Sequence, residues 1–320
     1  MKKKICFVIL SRANYGSIKS LMHEIKRNNQ FKLQIVVGAS AIISKFGNVK
    51  DIIKKDGFKI DANLDFQSSN LTLSSMSDTV GKGIIQISEI FKLINPDFVF
   101  TVGDRYETMA TALSSIFLNI PLCHTMGGER TGTIDESIRH SISKLAHYHF
   151  VSNEDSKLRL IKMGENKNDV FNVGCPRIDT VKKILSNYSK KKLIDRLNTL
   201  GVGSKINQSD RLIIFLQHPV TSEINKNKGY FMESIKAINM IKDKYKVIYL
   251  WPNSDPGSDD IATVVRQFRE KNKLKTMNYR FIINMAPEIY FQLMNEAELI
   301  IGNSSSAIRE GAYIGIPAID

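Results

Sequence analysis

The most constraining feature of this sequence is a recurring short run of consecutive apolar, β-favouring residues. The runs fall at residues 5–10, 33–37, 98–102, 121–125, 148–151 and 170–173, then at 212–216, 247–250, 281–283, 299–301 and 316–319. Their apolar residues are continuous, not alternating, so each strand must be covered on both faces. Amphipathic segments separate them, at 15–28, 49–56, 84–94, 105–118, 135–146, 153–163 and 259–271. Repeated β-loop-α units of this kind predict doubly wound parallel sheets. The series breaks once, in a polar region at 182–210 without a strand signal. The expected fold is therefore α/β, with two Rossmann-like lobes of parallel sheet around a cleft. The first lobe is placed at 1–175 and the second at 176–320, with helices after Pro176 connecting them.

Composition narrows the function classes. The net charge is +13, with 45 Lys and Arg against 32 Asp and Glu. Much of the excess lies in Lys-rich helical stretches at 182–192 and 242–246, read as solvated faces. No basic motif interleaved with aromatics accompanies them, which argues against a nucleic-acid partner. The apolar run at the N-terminus ends at Ser11-Arg12, too short for a signal peptide and suited to a buried first strand. No stretch approaches the ~18 apolar residues of a membrane span. Cys6, Cys123 and Cys175 lack metal-ligand spacing and read as buried, reduced thiols. These features predict a cytoplasmic protein without a membrane partner. No Gly-x-Gly-x-x-Gly follows the first strand, and neither a Walker loop nor a Gly-x-Ser-x-Gly elbow is present. No dinucleotide cofactor and no metal is expected.

In open α/β sheets ligands bind at the carboxyl ends of strands. The residues after the strands here are notably polar. Gly302-Asn303-Ser304-Ser305-Ser306 precedes a helix carrying Arg309 and Glu310. Small residues let backbone N–H groups approach an anion, and serines add donors, so this reads as a phosphate cradle. A helix cap alone needs one serine. Glu310 could take both hydroxyls of a ribose. Ser11-Arg12-Ala13-Asn14-Tyr15-Gly16 ends the first strand, and the planar fork of Arg12 matches two phosphate oxygens. His218 ends the first strand of the second lobe, where it could donate to a phosphate or transfer a proton. Asp104, Glu129 and Asp135 lie on consecutive units of the first lobe and could converge as acid/base groups, raising one another's pKa. Asp135 also fits a plain role at a helix N-terminus. His147 and His149 alternate along a strand and read as core or supporting residues, and His23 as structural.

Together these motifs resemble the hydrolysing UDP-N-acetylglucosamine 2-epimerases, a family that includes enzymes of bacterial sialic-acid pathways. The matching stretches are 11–16, 46–47, 55–58, 102–105, 127–129, 134–140, 172–176, 218–221, 252–257 and 302–310, in the family's order. The resemblance implies a GT-B-type fold and a UDP-sugar substrate. It implies anti elimination of UDP across C1 and C2 of the sugar, then hydration that inverts C2 and releases a free 2-epimer. By family position Asp104, Asp135 and Glu129 become acid/base candidates. Arg12, His218, Ser304 and Ser305 go to the diphosphate, and Asn253 and Glu310 to the nucleoside. Gly16, Arg105 and Gly302 complete the substrate-binding set. A homo-oligomer, dimer or tetramer, is implied.

Three departures qualify the match. A polar acid/base residue, usually Glu, is common three positions before the end of the Gly-Gly-Glu motif, and here Met126 stands there. A histidine frequent after the second strand is replaced by Ala41-Ile42. A more apolar sugar site would suit a 2,4-diacetamido-6-deoxy sugar. The chain also stops at Asp320, whereas family members continue for a few dozen residues with an arginine and a returning helix. A non-hydrolysing 2-epimerase, a GT-B glycosyltransferase and a catalytically impaired UDP-sugar-binding protein remain alternatives.

Overall fold

The structure is a computed structural model that describes residues 2–68, 72–132, 134–252, 255–271, 278–283 and 285–320. It divides into two compact units, Met1–Arg177 and Ile178–Asp320. The first contains β1 (Lys3–Ile9), α1 (Arg12–Arg27), β2 (Phe31–Gly38), α2 (Val49–Lys55), β3 (Ala62–Leu64), α3 (Leu73–Ile94) and β4 (Phe98–Val102). It continues with α4 (Thr108–Phe117), β5 (Leu122–Thr125), α5 (Ile134–Leu145), β6 (Tyr148–Val151), α6 (Glu154–Lys162) and β7 (Val170–Asn172). The helix α7 (Pro176–Leu185) leads into the second unit. There follow α8 (Lys190–Thr199), β8 (Val202–Gly203), β9 (Leu212–Phe215), α9 (Asn227–Ile241), β10 (Lys246–Leu250) and α10 (Ser258–Lys271). Last come β11 (Tyr279–Ile282), α11 (Pro287–Glu296), β12 (Leu299–Ile301), α12 (Ser305–Ile308), α13 (Glu310–Ile314) and β13 (Ala318–Ile319).

The first sheet has the order β3-β2-β1-β4-β5-β6-β7 with every pairing parallel. The second has the order β13-β12-β9-β10-β11-β8, parallel apart from β8. Burial explains why the strands read as continuous apolar runs. Along β1 and just beyond it, Ile5, Phe7 and Ile9 enter one core cluster, while Cys6, Val8 and Leu10 enter the cluster on the opposite face. In the second sheet Leu212, Ile214 and Leu216 face one core and Ile213 and Phe215 the other. Side chains alternate between faces along a strand, so helices on both faces demand apolar residues at every position.

Several elements differ from the sequence expectation. The helix α3 begins at Leu73, well before the predicted residue 84. Its first half is rich in serine and glycine, which hides the apolar period. A reciprocal cap holds that end: the Ser75 N–H donates to Thr72 Oγ1 at 3.3 Å, and the Thr72 N–H donates to Ser75 Oγ at 2.9 Å. The polar region at 182–210 does contain a strand, β8, antiparallel to β11. With two residues it carries no period. Gly201 and Gly203 admit it, because a Cβ at either would meet a backbone oxygen of β11 at 1.9 and 2.3 Å. The helices α9 and α11 were also absent from the predicted set, and α4 starts at Thr108, three residues late. His147 lies before β6, exposed, and His149 is buried within it, so the two do not share a strand face. Cys6 and Cys123 are buried free thiols, and Cys175 is half-buried.

Candidate active site

In a doubly wound sheet a crevice opens where the strand order reverses. In the first unit that point lies between β1 and β4. The chain places Ser11-Arg12 after one strand and Gly103-Asp104 after the other. Asn14 clasps the two ends. Its buried amide accepts from the Leu10 N–H at 3.2 Å and donates to the Val102 carbonyl at 3.2 Å. Ser11 caps α1 by accepting from the Asn14 N–H at 3.2 Å, which leaves Arg12 half-buried at the helix start. Gly16 lies within 3.5 Å of the Arg177 guanidinium, measured to a Cβ built at the glycine.

The carboxylate of Asp104 pairs with the guanidinium of Arg139, a residue of α5 with no exposed surface. The same guanidinium donates to the Glu129 carbonyl at 2.7 Å and to Thr131 Oγ1 at 3.4 Å. Arg139 thus ties together the turns after β4 and β5, where Asp104 and Glu129 stand. The sequence reading had Asp104 beside other carboxylates. The structure gives it a buried cation, which holds the carboxylate as an ion pair. The Glu129 carboxylate accepts from Ser152 Oγ at 2.7 Å. Asp135 and Glu136 occupy the first turn of α5. Glu136 holds the preceding loop by accepting from the Thr131 and Gly132 N–H groups at 2.7 and 2.8 Å. Those bonds, Gly132 first, keep its carboxyl below the usual range. Arg105 pairs with fully buried Glu107 at 2.5 Å.

Under the same turn lies His124, fully buried on β5. Its Nε2 is 2.8 Å from the Gly103 carbonyl and its Nδ1 is 3.1 Å from Ser143 Oγ. Burial pushes its pKa down to about 4, against a smaller upward pull from the Gly103 carbonyl. The imidazole is therefore neutral at pH 7. A carbonyl only accepts, so the single ring proton belongs on Nε2. Met126 adopts φ 63° and is buried against the core that also holds Ala41, Val102 and Cys123.

The second unit reverses its strand order between β9 and β12. Gln217-His218 follow one strand and Gly302-Asn303 the other. Asn303 joins them: it accepts from the His218 N–H at 2.7 Å and donates to the His218 carbonyl at 3.0 Å. Gly302 has φ 119°, and a Cβ there would meet the Leu216 carbonyl at 2.1 Å, so only glycine fits. Ser304 caps α12. Its hydroxyl is 2.8 Å from Ser306 Oγ, which in turn is 2.5 Å from the Tyr290 hydroxyl. Ser306 is buried and Ser305 exposed. The expected single helix is interrupted at Arg309, so Glu310 begins α13 and is fully buried. Asn253 lies outside the described residues.

Arg12, Gly16, Asp104 and Arg105 thus follow the strands at the first reversal, and His218, Gly302, Ser304 and Ser305 those at the second, while Glu129 and Asp135 come after β5 and Glu310 begins α13. Sequence reasoning missed the supports His124 and Ser143, and took Asn14, Glu107 and Asn303 only as members of the polar strand-end stretches. Arg139 was noticed only as part of a motif. A buried polar side chain beside a strand end was the available signal, but its partners are remote in sequence.

These features define an α/β scaffold of two Rossmann-like units, the GT-B class, with polar sites at both reversals. A family model described as "UDP-N-acetylglucosamine 2-epimerase" matches residues 23–320, and the chain belongs to that family of enzymes. It is 32% identical over 320 residues to a UDP-N,N'-diacetylbacillosamine 2-epimerase (hydrolyzing) of Legionella pneumophila, covering 100% of this chain and 81% of that protein. It is also 32% identical to a GDP/UDP-N,N'-diacetylbacillosamine 2-epimerase (hydrolyzing) of Campylobacter jejuni, over 100% of this chain and 80% of the relative. Its fold is similar to the crystal structure of UDP-GlcNAc 2-epimerase from Neisseria meningitidis bound to UDP-GlcNAc, with TM-score 0.81 and 18% identity over 99% of this chain and 82% of that one.

Proposed function

We propose that this protein is a hydrolysing 2-epimerase of a UDP-2-acetamido sugar, converting it to UDP and the free 2-epimer. The observation that carries the reading is the Asp104–Arg139 pair at the first reversal point. Elimination across C1 and C2 needs a base for the C2 proton and donors for the departing diphosphate. Asp104 is the base. Hydration of the glycal-like intermediate needs an acid, for which Asp135 and Glu129 are the candidates. Arg12, His218, Ser304 and Ser305 hold the diphosphate, with the Gly302 turn admitting it closely. Asn253 and Glu310 hold the nucleoside, and Gly16 and Arg105 line the substrate. The reading invokes no metal or organic cofactor.

The substrate we favour is a 2,4-diacetamido-6-deoxy sugar on UDP. Apolar Ala41 and Met126, both in one buried cluster, stand where polar residues are frequent in the family. The names of the Legionella and Campylobacter relatives agree with that choice. The free product would suit a sialic- or legionaminic-type pathway in the cytoplasm, with the enzyme a homo-oligomer.

The test is turnover in deuterated water, followed by NMR, with UDP-N-acetylglucosamine and with its 4-acetamido-6-deoxy analogue. The expected result is UDP plus free 2-epimer carrying deuterium at C2, from the 4-acetamido-6-deoxy substrate in preference. Labelled UDP-sugar would instead indicate the non-hydrolysing reaction. Binding without turnover of either substrate would overturn catalysis altogether.

A further inference from the structure

The turn that carries Asp104 is soft by composition. Gly103 sits at φ 71°, and a Cβ there would meet nothing within 4 Å, so space does not hold the turn in place. Glycine explores many conformations at little cost, and a catalytic group on such a turn needs outside anchors. Two anchors come from the last two residues of β5. The Gly103 N–H donates to the Thr125 carbonyl at 3.0 Å, and the Gly103 carbonyl receives His124 Nε2–H at 2.8 Å. The ring itself is held by Ser143 on α5, one turn after Arg139, whose guanidinium grips the Asp104 carboxylate.

The chain gives up a side chain to house this ring. A Cβ at Gly127 would lie 2.9 Å from His124 Nδ1 and 2.8 Å from Ser143 Oγ. A neutral imidazole buried to zero exposure is costly unless its nitrogens are used. An apolar ring would pack there without that cost. Keeping histidine therefore points to what its nitrogens hold.

We propose that His124 is a positioning residue of the reaction: by fixing the Gly103 carbonyl it aims the Asp104 carboxylate at the proton to be removed. The proposal rests on Asp104 being the base, as above. It makes His124 sensitive to which ring nitrogen is replaced. In His124→Gln the side-chain amide nitrogen reaches the place of Nε2 and can still donate to Gly103. In His124→Asn it reaches only the place of Nδ1.

The experiment measures kcat and KM for UDP release from whichever UDP-sugar the wild type turns over, and UDP affinity by calorimetry. His124→Asn should lose about 10- to 100-fold in kcat, with KM and UDP affinity changed by less than about threefold. His124→Gln should recover most of that loss. His124→Phe serves as a second variant without the donor if the Asn variant does not fold. Equal rates in the Gln and Asn variants would overturn the proposal, as would a parallel loss in kcat, KM and UDP affinity. Asp104→Asn separates the two levels. If it is inactive while His124→Asn turns over normally, only the positioning role falls. If Asp104→Asn keeps wild-type turnover, the base assignment falls and the proposal with it.

Discussion

The two strand-order reversals share a topology and differ in chemistry. At the first, ions do the holding: Asp104 with Arg139, and Arg105 with Glu107. At the second, neutral groups make the bonds that shape the turn: Asn303 with the His218 backbone, and Ser304 with Ser306 and Tyr290. Each nevertheless uses one asparagine as a clasp, Asn14 across β1 and β4 and Asn303 between the residues following β9 and β12. The lesson is that the fold supplies the location and the turn supplies the task. A fixed carboxylate suits proton transfer, whereas glycine, hydroxyls and backbone donors suit an anion.

The sharpest way to break this comparison is at Asp104. Asp104→Asn keeps size and hydrogen-bonding capacity but removes the proposed base. A general base contributes about a hundred- to ten-thousandfold. Turnover should fall by about a thousandfold while UDP affinity, measured by calorimetry, stays within about threefold. Loss of UDP affinity comparable to the loss of turnover would show that charge at the first reversal serves the anion after all.

The turns themselves offer the next test. Gly302 and Gly103 both have positive φ, yet their surroundings differ. An alanine at 302 would drive its Cβ to 2.1 Å from the Leu216 carbonyl, between β9 and the clasp. An alanine at 103 meets nothing within 4 Å. Gly302→Ala should therefore cost more than about 3 kcal/mol in stability, and Gly103→Ala about 1 kcal/mol, the price of the left-handed backbone alone. Urea unfolding reads both. Similar midpoints for the two variants would mean that the second turn yields easily and is not the rigid one.

How much of this was legible in the sequence follows from the range of each interaction. The strands at 98–102, 148–151 and 299–301 coincide with β4, β6 and β12, because burial on both faces leaves a local signature. The first half of α3 left none, since its serines and glycines serve the cap and the close approach to α4, where a Cβ at Gly83 would meet Ala110 at 2.9 Å. The location of the site was legible too, because strand ends are. Its supports were not. Arg139 reaches Asp104 from the helix of the next β-α unit, and His124 reaches Gly103 from the neighbouring strand. Such pairings exist only once the sheet order is known. The cation beside Asp104 was hidden for the same reason, because it comes from α5.

The smallest expected effect concerns the anion. Ser304 is a poor target, because its hydroxyl caps α12 and touches Ser306, so its loss would disturb the helix. Ser305 is better. Its hydroxyl is exposed and meets only the Arg309 guanidinium at 3.5 Å among the hydrogen bonds resolved there, outside the Ser304–Ser306–Tyr290 chain. Arg12 is half-buried at the start of α1, whose cap is made by Ser11 and survives the change. The double variant Arg12→Ala/Ser305→Ala removes one charged and one neutral donor proposed for the diphosphate. Such donors are worth about 1 to 3 kcal/mol together, so UDP should bind about 10- to 100-fold more weakly. Turnover at saturating substrate should fall less than in Asp104→Asn, because the proposed base is intact. If UDP binds the double variant as tightly as the wild type, the diphosphate is held elsewhere, and the glycine and hydroxyls of the second turn need another explanation.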